Sequence, residues 1–236
     1  MTTPALEIKG LQAWYGESHI LHGVDITVNK GEVVTLLGRN GAGRTTTMRS
    51  IMGLVGARKG SIRVHGTESI AMRSHRIAHL GLGYCPEERG IFSSLSCEEN
   101  LLLPPRLKGK GAGMSVDEIY AMFPNLAERR HSQGTRLSGG EQQMLAVARV
   151  LRTGARLLLL DEISEGLAPV IVQALARMIH ALRDKGYTVV MVEQNFRFAA
   201  PLADRFYVME HGRMVEHFKA EKLEDKMPLL ADLLGV

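Results

Sequence analysis

Cysteine is nearly absent from this chain: Cys85 and Cys97 are the two among 236 residues. One disulfide is arithmetically possible, a disulfide framework is not, and two thiols beside apolar residues read as reduced core side chains. Aromatics are scarce, at 5% with one Trp, so no platform for stacking nucleic-acid bases is in sight. An excess of one charge is missing too: 29 Lys and Arg stand against 25 Asp and Glu, a net charge of +4. That balance permits a weak preference for anionic ligands or a membrane surface and argues against a nucleic-acid partner. The strongly apolar, strand-like run Leu157–Leu160 falls far short of the ~20 residues that cross a bilayer. The opening residues MTTPALEIKG lack the basic head and apolar run of a targeting segment. These absences predict a cytoplasmic protein, held at a membrane, where it works at one, by a partner.

What remains is ordinary globular material, 45% hydrophobic and 23% charged. It is long enough for one domain, or one domain with an insert. The nine histidines have no metal-ligand spacing with a cysteine or acid cluster. Early residues read as strands: Leu6, Ile8 and Leu11 roughly alternate with polar positions, and Val24, Ile26 and Val28 share one side. EVVTLL (Glu32–Leu37) is the near-continuous apolar run of a buried parallel strand, followed by a glycine-rich loop and a helix over Thr45–Leu54. Between residues 88 and 136 the character changes. Short helices are interrupted by Pro104, Pro105 and Pro124, and Arg106–Lys110 reads as a basic solvated loop. After that, apolar strands at Leu157–Leu160 and Tyr187–Val192 alternate with helices, which predicts a mostly parallel sheet covered on both faces. A short amphipathic helix over Pro228–Leu234 either caps the core or forms part of a subunit contact.

The loop after EVVTLL reads Gly38, Arg39, Asn40, Gly41, Ala42, Gly43, Arg44, Thr45, Thr46. It fits the Walker A pattern G-x-x-x-x-G-K-[ST], between a strand and a helix, at every defined position but one. The glycines allow a tight turn whose N–H groups, with the following helix N-terminus, cradle an anion. Thr45 suits Mg²⁺, and Thr46 can hold the α-phosphate. Arg44 stands where lysine belongs, a planar fork in place of a compact charge. The second motif is LLLLDE, an apolar strand whose carboxyl end presents Asp161 and Glu162. Ligands bind at that edge of such sheets. Asp161 is placed for the Mg²⁺ shell, and Glu162 to polarise a water for phosphoryl transfer.

Residues 137–143, LSGGEQQ, resemble the signature motif of the ATP-binding-cassette (ABC) ATPases, and the resemblance extends over nearly all of the chain. It implies an α/β fold: a P-loop NTPase core of ABC type with an antiparallel β subdomain and an inserted helical subdomain. The core would comprise residues 1–87 and 137–236, and the insert residues 88–136. It implies that Ser138, Gly139 and Gly140 contact the γ-phosphate of ATP held by a second subunit. By the same resemblance Tyr15 stacks on adenine, with Trp14 packing on the sheet. Glu87 sits where most cassettes have a glutamine that senses Mg²⁺ and the membrane subunit. SEGLAP (Ser164–Pro169) is similar to the loop that crosses the dimer interface, and Gln194 occupies the place of the switch histidine. Glu87, GLAP and VEQN together resemble the smaller ATP-binding subunit of bacterial branched-chain amino acid transporters. Relatives of that type serve urea or short amides. Lipid or lipopolysaccharide export and non-transport ABC work are the alternatives. The implied partners are a second ABC ATPase subunit, two permease subunits and a periplasmic solute-binding protein, with the chain peripheral on the inner face of the membrane. Arg44, Ile163, Glu165 and the run Glu88–Arg89–Gly90 depart from that subfamily.

Overall fold

The computed structural model describes residues 3–107 and 113–235. Strands β1 (Leu6–Tyr15), β2 (Ser18–Val28) and β3 (Val33–Leu37) lead to helix α1 (Arg44–Ile51). Then come β4 (Ala57–Val64), β5 (Thr67–Glu68), α2 (Ser74–Ala78), β6 (Leu82–Cys85), α3 (Cys97–Leu102), α4 (Val116–Met122) and α5 (Pro124–Glu128). The last part comprises α6 (Gly139–Arg152), β7 (Leu157–Asp161), α7 (Pro169–Asp184), β8 (Thr188–Val192), α8 (Phe196–Ala199), β9 (Arg205–Glu210), β10 (Arg213–Lys219) and α9 (Leu223–Leu234).

Two sheets form. One is four-stranded and antiparallel, in the order β2-β1-β4-β5. The other runs β10-β9-β3-β8-β7-β6 and is parallel except where β10 pairs with β9. β3, β7 and β8 are buried at every position, which explains their lack of alternation in sequence. Their successive side chains enter different cores. Val34, Leu36, Leu157 and Leu159 face β1, β2 and α1. Val33, Leu158 and Leu160 face α6 and α7 in a cluster that also takes in Leu101, Ile119, Phe123 and Leu126 from the short helices after residue 88. Because these strands are parallel, β3, β6, β7 and β8 all end at one edge of the sheet, and the phosphate loop, Glu87, Asp161, Glu162 and Gln194 follow those ends.

Several boundaries differ from the sequence expectations. α1 stops at Ile51 rather than Leu54, because Gly53 turns left-handed at φ 72° and Leu54 N–H bonds back to the Arg49 carbonyl. The terminal helix begins at Leu223 and carries Pro228 inside it, tolerated because Leu230 is fully buried against Leu37, Phe206 and Val208. It caps a small core of its own. Pro124 closes α4 and opens α5 at its first turn. α2 and β5 are too short to be read from periodicity. Both cysteines are free and buried, and Trp14 stacks on His19 with centroids 4.3 Å apart. Lys108 and Lys110 of the basic stretch lie outside the described residues. Among the described residues no helix is long and apolar enough to cross a membrane.

Candidate functional site

The loop from Gly38 to Gly43 leaves β3 and turns into α1. Gly43 takes φ 104°, and a Cβ there would stand 2.8 Å from Leu21 Cδ2, so both conformation and space require glycine. The loop and the start of α1 form one wall of a cleft of about 450 Å³, lined by residues 40–46 together with Ile20, Glu87, Glu162 and Glu165.

A group of linked polar side chains defines the chemistry of this cleft. Thr45 Oγ1 donates to Asp161 Oδ1 at 3.1 Å, and the Tyr84 hydroxyl donates to Asp161 Oδ2 at 3.0 Å. Burial pushes the Asp161 carboxyl up, and these two hydrogen bonds pull the other way. Arg44 is 4% exposed, and its Nη2 bonds both Asn40 Oδ1 at 3.2 Å and Glu162 Oε1 at 2.8 Å. Its Nη1 is buried with no hydrogen-bond partner among the described residues. Glu162 is pushed up to about 7 by burial and by contact with Glu165, against the pull of Arg44. Carboxylate oxygens of Glu87, Glu162 and Glu165 lie within 4.8 Å of one another. Glu165, noted in sequence as a departure, is thus a member of the acidic group.

These donors fit a nucleotide with Mg²⁺. A hydroxyl and a carboxylate oxygen in contact are hard ligands suited to that ion. The orphaned Arg44 Nη1 at the phosphate loop is a buried cationic donor that a phosphate oxygen would satisfy. The backbone N–H groups of a positive-φ loop at a helix start suit the same anion.

Other expected residues stand apart. Tyr15 ends β1 at 44% exposure, beside the Arg49 guanidinium, and does not line the cleft. Ser138, Gly139 and Gly140 do not line it either. Ser138 Oγ accepts from Glu141 N–H while the Glu141 carboxylate accepts from Ser138 N–H, a capping box at the start of α6. The hydroxyl proton is left free to donate. A Cβ on Gly140 would meet Ile171 Cγ1 at 2.6 Å. Gln194 shares a second cleft with Gly38, Arg39 and Asn40, which also includes Leu234 and Gly235 of the chain's last turn.

Two polar residues of the site were missed in sequence. Tyr84 holds Asp161, and its signal was weak, a tyrosine in a short apolar strand. Glu193 is 1% exposed, and its carboxylate accepts from Ser164 N–H at 3.2 Å and Ser164 Oγ at 2.7 Å. An acid directly after the apolar run Val189–Val192 of β8 was the available clue.

Comparison with known proteins points the same way. A family profile described as ABC transporter matches residues 21–165. The high-affinity branched-chain amino acid transport ATP-binding protein BraG of Pseudomonas aeruginosa is 43% identical over 213 residues, 90% of this chain and 91% of that protein. The lipopolysaccharide export system ATP-binding protein LptB of Escherichia coli (strain K12) is 33% identical over 216 residues, 90% of this chain and 89% of that one. A solved dimeric ATP-binding cassette in a post-hydrolysis state, bound to ADP and Pi, superposes with a TM-score of 0.79 at 22% identity, covering 91% of this chain and 98% of that one.

Proposed function

The chain belongs to the ABC transporter ATP-binding cassettes, and from that membership we propose that it binds and hydrolyses ATP to power import of branched-chain amino acids through a membrane permease. The observation that carries the substrate class is the 43% identity to BraG along 90% of the chain, against 33% to LptB. The transported solute does not touch this subunit in such a scheme, so no side chain here reads it.

In this reading residues 38–46 hold the triphosphate, with Thr46 at the α-phosphate. Arg44 Nη1 meets the terminal phosphate, and Tyr15 stacks on adenine. Thr45 and Asp161 hold Mg²⁺, with Glu87 nearby, and the ion supplies charge neutralisation of phosphate oxygens when bound. Glu162 takes the proton of the attacking water, and Gln194 at the end of β8 assists at the terminal phosphate. Ser138, Gly139 and Gly140 serve the nucleotide of a second ABC ATPase subunit in a head-to-tail dimer. Residues 1–87 and 137–236 act as the nucleotide-binding core and 88–136 as the helical subdomain. The partners are the second ATPase, two permease subunits and, indirectly, a periplasmic solute-binding protein, with the chain peripheral on the inner face of the membrane.

Reconstitution tests the proposal. Vesicles holding the cognate permease, partner ATPase and binding protein are expected to accumulate leucine, isoleucine or valine only with this chain and Mg-ATP. Accumulation of urea or short amides in place of these would overturn the substrate class, and nucleotide-independent uptake would overturn the coupling.

A further inference from the structure

Glu162 is one of four non-glycine residues described with positive φ, at 50°. That left-handed conformation is disfavoured for a side chain of this kind and persists only where the surroundings over-determine it. Three hydrogen bonds to two adjacent residues at the end of β8 do so. On the amino side, Glu162 N–H donates to the Val192 carbonyl at 2.9 Å. On the carboxyl side, two residues on, Ser164 gives both its N–H and its hydroxyl to the Glu193 carboxylate. Ile163 between them is fully buried. Adjacent residues Val192 and Glu193 therefore clamp the segment that presents Glu162. Glu193 N–H in turn bonds the Leu36 carbonyl at 3.4 Å, just before the phosphate loop.

A carboxyl so buried is costly unless it is hydrogen-bonded, and a plain apolar side chain would fill this strand end without that cost. Burial pushes Glu193 up to about 7, opposed by the two bonds from Ser164. Glu193 also lies immediately before Gln194, and both line a cleft of about 300 Å³ with Glu162, Ser164 and Glu165.

We propose that Glu193 is a positioning residue for ATP hydrolysis: through Ser164 it holds Glu162 in its left-handed conformation and ties the loop that begins at Ser164 to the segment carrying Gln194. This rests on the reading of Glu162 as the residue that activates water. Glutamine preserves the arrangement, since its carbonyl oxygen accepts from Ser164 N–H and its amide donates to the Ser164 hydroxyl. Alanine removes it.

The test uses the full chain, alone and with its partner ATPase. Glu193→Ala is expected to lower kcat at least about tenfold, the scale expected for a misplaced catalytic group, with KM for ATP and nucleotide affinity within about twofold. Glu193→Gln is expected to restore most of the rate. Ser164→Ala, which removes only the hydroxyl and keeps the fold, gives a smaller loss, and the double variant is no slower than Glu193→Ala. Amide hydrogen exchange provides a readout independent of activity: the Glu162 and Ser164 amides exchange at least about tenfold faster in Glu193→Ala and as slowly as wild type in Glu193→Gln. Unchanged exchange at both amides, or an unchanged kcat, in Glu193→Ala would overturn the proposal. A glutamine variant as impaired as the alanine one would do the same. Wild-type protein without ATPase activity would instead remove the role given to Glu162, while exchange would still decide whether Glu193 holds that segment.

Discussion

Arg44 Nη2 and Glu162 Oε1 are 2.8 Å apart, with the two side chains 4% and 10% exposed. The cation in the Walker lysine position and the acid directly after β7 thus neutralise each other across a sequence separation of 118. The guanidinium is divided: one nitrogen is committed to Asn40 and Glu162, and the other has no hydrogen-bond partner among the described residues. A lysine has a single mobile head that can follow the terminal phosphate as charge moves. Arg44→Lys is therefore expected to raise kcat at least about tenfold, because a guanidinium held about 1 Å from its best position can cost ~10²-fold. ATP affinity should change less. Steady-state ATPase assays alone and with the partner ATPase, beside nucleotide titration, measure both. An unchanged or lower kcat would mean that the Arg44–Glu162 pair is part of a working site.

The two signature glycines should respond differently to a methyl group. At Gly140 the added Cβ would meet branched Ile171 at 2.6 Å, an overpacking expected to cost about 1–3 kcal/mol, offset by up to ~1 kcal/mol of helix propensity. At Gly139 the nearest neighbour is the flexible end of Arg89, at 3.4 Å. Gly140→Ala should lower the denaturation midpoint and recover it when combined with Ile171→Ala. Gly139→Ala should leave it unchanged and impair ATP-driven assembly. Equal midpoints for both single variants would show that α7 yields to the methyl.

Glu193 gives the protein a pH-dependent stability with a definite sign. A carboxyl raised to about 7 in the folded state binds more protons folded than unfolded between its two pKa values. Its contribution is therefore fully favourable below the unfolded value of 4.5 and is lost as pH rises through about 7. Arg44 facing it works against this, and Glu162 works with it. The melting temperature of wild type is expected to fall between pH 5.5 and 8, and Glu193→Gln to flatten that fall and melt higher at pH 8. Parallel curves for the two proteins would remove Glu193 as the source.

Tyr15 gives a simpler expectation. It offers an exposed ring and no base-specific partner, so Tyr15→Ala should weaken ATP binding by about 1–2 kcal/mol and Tyr15→Phe should change little. Calorimetric titration decides, and equal affinity for the alanine variant would take Tyr15 out of the site.

The sequence revealed most where chemistry depends on neighbours in the chain. The loop around Gly43 and the pair Asp161–Glu162 could be read because a strand end, a tight turn and a helix start are local events. β3, β7 and β8 could be read because full burial demands near-continuous apolar runs. What escaped depends on partners far away. The bond from Tyr84 to Asp161 spans 77 positions and that from Ser164 to Glu193 spans 29, and neither leaves a spacing pattern. Arg44 was visible as a substitution, but its union with Glu162 was not. The helix expected over Pro228–Leu234 starts earlier, at Leu223, because burial of Leu230 lets it run through the proline.

Assembly follows from where the signature residues lie. Ser138, Gly139 and Gly140 open α6 outside the cleft that the phosphate loop, Glu87 and Glu162 surround, so one chain presents two half-sites that do not meet. The capping box already satisfies the Ser138 N–H, and it leaves the hydroxyl hydrogen and the first N–H groups of α6 as donors. In the proposed function these donors serve an ATP held by the phosphate loop of another chain. Mg-ATP is thus expected to drive head-to-tail pairing, with hydrolysis releasing it. Glu162→Gln should trap the pair, because the amide oxygen still accepts from Arg44 but cannot take a proton from water. Sedimentation of Glu162→Gln with saturating Mg-ATP, alone and mixed with the partner ATPase, is expected to give a dimer that reverts to monomer when nucleotide is removed. Adding Ser138→Ala should weaken the dimer without weakening nucleotide binding by the monomer. A protein that stays monomeric under both conditions would refute pairing, and one whose dimer is indifferent to Ser138 would place the contact elsewhere.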